Sequence, residues 1–91
     1  MRPVSYLITS FIEKTMNMKG LNLFITSDGK YLVMDSSFDT LYKFDLIFSD
    51  SDFSCQILAK GDGGLSLKHA INIPWTNGKG IREFMEYVRQ L

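Results

Sequence analysis

The sequence predicts an α+β domain: a five-stranded antiparallel meander with an N-terminal and a C-terminal helix packed on one face, in the order α-β-β-β-β-β-α. Three observations carry this. Residues 42–48, 53–59 and 65–73 place large apolar side chains at every second position, the period of a half-buried strand. The stretches at the two ends carry them at helical spacing instead. The links between strands are short, which favours hairpins over crossovers.

In the first element, from Pro3 to Met18, Val4, Leu7, Ile8, Phe11, Ile12 and Met16 form one broad stripe. Proline near the first helical position and Gly20 just past the end are ordinary start and stop signals. Residues 21–36 then read as a hairpin, because Asp28-Gly29 suits a two-residue turn of the primed type. Pairing Ser27 with Lys30 sets Ile25 opposite Leu32, Phe24 opposite Val33 and Leu23 opposite Met34. Residues directly opposite share a face. Leu21, Leu23, Ile25, Leu32 and Met34 are therefore expected on one face, and Phe24, Thr26, Tyr31 and Val33 on the other.

A loop at Ser49-Asp50-Ser51-Asp52 pairs Phe48 with Phe53, Leu46 with Cys55, Phe44 with Ile57 and Tyr42 with Ala59, all on one face. Lys43, Asp45, Ser54 and Gln56 fall on the other. After Gly61-Asp62-Gly63-Gly64, the fifth strand is expected to send Leu65, Leu67, His69, Ile71 and Ile73 inward until Pro74 removes a ladder donor. Ile81, Phe84, Met85, Val88 and Leu91 return to helical spacing, with helix entry at Asn77 or Gly80. A partly open barrel is the alternative, but two helical stripes need a sheet face to cover.

At 91 residues, 45% hydrophobic and 22% charged, the chain suits one domain spanning residues 1–91. No apolar run is long enough for a membrane span, and Thr9 and Ser10 interrupt the N-terminal segment, so no signal peptide is expected. A cytoplasmic location follows as the expectation. The single cysteine, Cys55, falls on the apolar side of its strand and reads as a buried thiol in a reducing compartment.

Net charge is zero, yet residues 21–62 carry three lysines against seven aspartates, and both flanking segments are mildly basic. An acidic sheet disfavours phosphate tracking, which needs clustered Lys and Arg. The chemistry-bearing residues are few. His69 is the only histidine, and its strand phase places it among Leu67 and Ile71 as a hydrogen-bonded structural side chain. Asp28, Asp50 and Asp52 gather at one end of a meander and Asp35, Asp39 and Asp62 at the other. Turn propensity accounts for them, and Asp50-Ser51-Asp52 lacks the rest of a calcium-loop pattern. Gly78-Lys79-Gly80 lacks the spacing of a phosphate loop. Trp75, beside Pro74, suits either an exposed anchor or a plug between sheet and helix. Neither a catalytic set, a metal site nor a cofactor site is expected from this inventory.

What the fold does not require is the outward group Phe24, Tyr31 and Val33, with Ile47 and Leu58 as extensions. Neighbouring apolar residues on a sheet face suggest a partner, whereas strand propensity alone is the bland account. The expected function is a small non-catalytic protein-binding module, an inhibitor or immunity or accessory factor of phage or mobile-element type that blocks a larger protein. Its contacts are assigned to Phe24, Tyr31, Val33, Asp28, Asp50, Asp52 and Trp75. The alternative is single-stranded nucleic-acid binding on a Phe24–Tyr31 stacking platform. Homodimerisation through the sheet face or an edge strand stays open at this level.

Overall fold

The computed structural model describes residues 3–91. The expectations attached to Met1 and Arg2, and to the side chain of Val4, lie outside the described residues. Helix α1 (Pro3–Met18) is followed by β1 (Asn22–Ile25), β2 (Tyr31–Met34), β3 (Thr40–Phe48), β4 (Asp52–Gly61), β5 (Gly64–Pro74) and helix α2 (Gly78–Gln90). The strands form one antiparallel sheet in the order β1-β2-β3-β4-β5, the expected meander.

Each helix ends for a local reason. Gly20, at φ +78°, takes the left-handed position after α1, so that Leu21 N donates to Met16 O and Gly20 N to Asn17 O, both at 3.0 Å. These two bonds satisfy carbonyls that the helix leaves open. Asn77 caps α2, its side-chain oxygen accepting from Gly80 N at 2.9 Å. The Gly78-Lys79-Gly80 segment is thereby the first turn of α2, with one of its free amides already used.

The core is one cluster between the helices and a single sheet face. Ile8, Ile12 and Met16 of α1 and Phe84 and Val88 of α2 meet Val33, Phe44, Phe53, Cys55, Ile57 and Ile73. Full burial of side chains of this size contributes about 1.5–3 kcal/mol each. Leu7, included in the sequence stripe, is 66% exposed, because the buried stripe of α1 follows the steps of four from Ile8 to Met16. The helices meet at their C-terminal ends, where Lys19 Nζ donates to Arg89 O at 2.8 Å and the Arg89 guanidinium lies 5.0 Å from the centre of the Phe11 ring.

The β3–β4 register is the expected one: Tyr42 pairs with Ala59, Phe44 with Ile57, Leu46 with Cys55 and Phe48 with Phe53. The first hairpin differs by one residue. Leu23 pairs with Val33, Phe24 with Leu32 and Ile25 with Tyr31. The cause is the turn, which has three residues rather than two. Gly29 N donates to Thr26 O at 3.0 Å, Gly29 sits at φ +82°, and Thr26 N closes the loop on Lys30 O at 2.8 Å. This is a type I turn followed by a left-handed glycine, the usual three-residue hairpin loop. The one-residue slip turns all of β2 over. Val33 enters the core at 0% exposure and Tyr31 packs at its fringe, while Leu32 and Met34 join Phe24 on the other face.

The β2–β3 turn repeats this geometry with a different residue at the critical place. Phe38 N donates to Asp35 O and Asp35 N to Asp39 O, both at 3.0 Å, and the left-handed position is held by Phe38 at φ 62°. The Asp35 carboxylate locks the loop by accepting from Ser37 N at 2.9 Å and Asp39 N at 3.0 Å. The second departure lies in β5. A bulge makes Ile57 pair with His69 but Leu58 with Leu67, leaving Lys68 as the extra residue. His69, Ile71 and Ile73 keep the expected inward phase, whereas Leu65 and Leu67 are carried to the outer face.

In urea unfolding, Gly29→Ala is expected to cost about 1 kcal/mol, since the left-handed backbone is disfavoured for alanine although the added Cβ meets open space. Phe38→Gly is expected to leave stability unchanged or raise it; a neutral Gly29→Ala would contradict the turn assignment. Burial of Cys55, together with the neighbouring Asp45, pushes its thiol from 9.0 up to about 12. Iodoacetamide at pH 8 should therefore label Cys55 only after unfolding. As pH rises from about 9 towards 12, the unfolded chain releases a proton that the folded chain keeps. Stability should fall over that window more steeply in the wild type than in Cys55→Val.

Candidate functional site: the open face of the sheet

With both helices on one face, the other face of the sheet is uncovered, and the registers lay out its surface. Phe24 pairs with Leu32, Leu32 with Lys43, Lys43 with Leu58 and Leu58 with Leu67, one row that crosses all five strands. In the next row towards the β2–β3 turn lie Met34 on β2, then Lys60 paired with Leu65. None of these apolar residues belongs to the core or its packed fringe. Phe24 is 41% exposed and Leu67 59%.

The other half of this face is polar. Lys30 Nζ reaches Asp45 Oδ2 at 2.7 Å, and Asn72 Nδ2 donates to Ser54 Oγ at 2.8 Å. The hydrogen bond and charge of Asp45 hold the Lys30 ammonium above its ordinary range. Ile47, expected as an extension of the apolar group, is 64% exposed on this polar half, and its strand partner is Ser54. The face is thus divided, apolar towards the β2–β3 and β4–β5 turns and polar towards the others. Phe38, 73% exposed, stands at the apolar end.

The contact residues expected from sequence are redistributed by this geometry. Phe24 is on the open face. Val33 is in the core and Tyr31 lies under α1, so the group Phe24–Tyr31–Val33 does not exist as a surface. The stacking platform proposed for single-stranded nucleic acid falls with it, because Phe24 and Tyr31 face opposite ways. Leu58 stands on the open face as expected, whereas Leu32, Met34, Leu65 and Leu67 were hidden by the assumed two-residue turn and by the Lys68 bulge. The Asp28-Gly29-Lys30 ending after Thr26-Ser27 was the available signal for a three-residue loop.

Trp75 is committed to the fold. Its ring lies 5.0 Å from Phe53 and 6.1 Å from Phe48, in stacked arrangements, and Nε1 donates to Ser49 O at 2.7 Å. Asp28 and Asp52 sit at turns and serve them. Asp28 accepts from the Thr26 hydroxyl, which lowers its pKa, and Asp52 Oδ1 accepts from Ser49 Oγ at 2.7 Å. Asp50 is exposed in the same turn as Asp52.

His69 is half-buried and placed by a ring stack on Tyr87, centroids 3.9 Å apart, where a hydrogen bond was expected. It lines a groove of about 350 Å³ with Glu83 and Phe84, and no serine, threonine or cysteine joins it there. A wider cleft of about 710 Å³ beside α1 is lined by Ser5, Thr9, Tyr31, Phe48 and Asp50. The Thr9 hydroxyl donates to the carbonyl of Tyr6 at 3.0 Å. Among the described residues, no group of three or more His, Cys, Asp or Glu could hold a metal ion. Nor is any helix of the described chain long and apolar enough to cross a membrane. No protein-family model matches the chain, and no match to it was found among curated proteins or solved structures.

Proposed function

We propose that this chain is a small non-catalytic protein-binding module that docks a larger protein on the open face of its sheet, in the manner of an inhibitor or accessory factor acting in the cytoplasm. The observation that carries the reading is the apolar row from Phe24 to Leu67 on the face that neither helix covers. Strand propensity does not account for its composition. Positions chosen for pleated backbone alone favour Val, Ile, Thr and aromatic residues, and this patch is built from Leu and Met around one Phe. Its segregation from the polar half of the same face is what a contact surface with a rim requires.

The lone buried thiol suits a reducing compartment. The test is affinity capture with three proteins, followed by titration of the captured partner in purified form. They are the wild type, a Phe24→Glu, Leu67→Glu variant, and Ile25→Glu. Ile25 is 68% exposed on the helix-covered face and serves as the control. The expected result is a partner bound by wild type and Ile25→Glu and weakened about thirty-fold or more by the double variant, with all three melting alike. Equal binding to wild type and double variant, or dependence on Ile25, would remove the open face from consideration.

A further inference from the structure

The charges on the open face narrow what can cover it. Lys30 is paired with Asp45 at 2.7 Å and Lys60 with Asp39 at 3.2 Å. Lys43 is half-buried between Leu32 and Leu58 at the middle of the apolar row; among the described residues no carboxylate is in direct ion-pair contact with it, the Asp28 carboxylate acting on it only from a distance. Any partner that closes over the row strips water from this ammonium. An ammonium buried without an acceptor opposes binding strongly, so a partner that brings a counter-charge is favoured over one that does not.

A second copy of this chain does so poorly. The carboxylates on its own open face, Asp39 and Asp45, are already engaged, and a two-fold axis through the middle of the row sets one Lys43 against the other. A nucleic acid supplies phosphate, but along this row it meets leucines, with Phe24 in the row and Phe38 at the apolar end as the rings for a base to stack on. A carboxylate flanked by apolar side chains satisfies both parts of the surface. Five strands at about 4.8 Å spacing make the row about 19 Å long, the reach of a short segment.

We propose that the open face takes an apolar segment of a partner protein bearing a carboxylate near its middle, which pairs with Lys43. This rests on the docking reading above and adds the chemistry of the occupant. The probe is a random-peptide display library panned on wild-type protein and counter-selected on the Phe24→Glu, Leu67→Glu variant, so that surviving clones read the open face. Clones are expected to place Leu, Ile, Phe or Met around a single Asp or Glu. A synthetic peptide of that consensus should lose about thirty-fold in affinity on Lys43→Glu. Changing its acidic residue to Lys should restore binding to Lys43→Glu, which no general loss of folding would allow.

Face-dependent clones that lack an acidic residue and are indifferent to Lys43→Glu would overturn the pairing while leaving the docking reading intact. An absence of face-dependent clones would overturn both. Sedimentation showing a wild-type dimer that the double variant loses would give the face to a second copy, and salt-sensitive retention of a single-stranded oligonucleotide would give it to nucleic acid. Either result would overturn the proposal.

Discussion

The left-handed backbone at Gly29 decides which side of β2 meets the helices, and much of the molecule depends on that choice. A sheet has only two faces, so a one-residue change in a hairpin loop exchanges every side chain of the strand that follows. With the loop at three residues, Val33 enters the core, paired with Leu23 and Tyr42, and Leu32 and Met34 extend the surface begun by Phe24. The bulge at Lys68 performs the same exchange at the far edge, bringing Leu67 into line with Leu58. Two local backbone devices, one near each edge, thus assemble a row that is apolar on either side of Lys43.

The helix-covered face is held differently. Phe53 contacts Trp75 and meets Phe84 edge-on at 5.5 Å and 71°, tying the start of β4, the end of β5 and the first half of α2 into one aromatic cluster. Offset and edge-to-face contacts of this kind add about 0.5–1.5 kcal/mol to the burial they accompany. The opposite end relies on polar contacts, with Lys19 closing on the Arg89 carbonyl near the end of α2 and Arg89 held by Glu86 at 3.0 Å. Hydrogen bonds from Gln90 and Arg89 keep the Glu86 carboxyl below its ordinary range.

Element order, the bounds of α1 and the β3–β4 register could be read from sequence because each rests on a periodicity of several residues that only one arrangement satisfies. The face of β2 could not be read that way. Tyr31 to Met34 are four large apolar residues in succession, a pattern that is identical in either phase, so the turn alone decides. Asp-Gly is compatible with both loop lengths, and the preference for the shorter one misplaced Tyr31 and Val33 together. Leu65 and Leu67 were misplaced because a bulge breaks the alternation at Lys68 without any glycine or proline to announce it. The candidate site was consequently legible as a face and not as a set of residues; of the aromatic group first assigned to it, Phe24 alone stands there.

The meander has a consequence for how the chain reaches this structure. Every strand pairs with its neighbour in sequence, so the sheet can zip up through short loop closures that cost little entropy. The junction of α1 with α2 is of another kind, since Lys19 and Arg89 are separated by 70 positions. The covered face thus draws on contacts between the two ends of the chain, whereas the open row needs only pairing between strands adjacent in sequence.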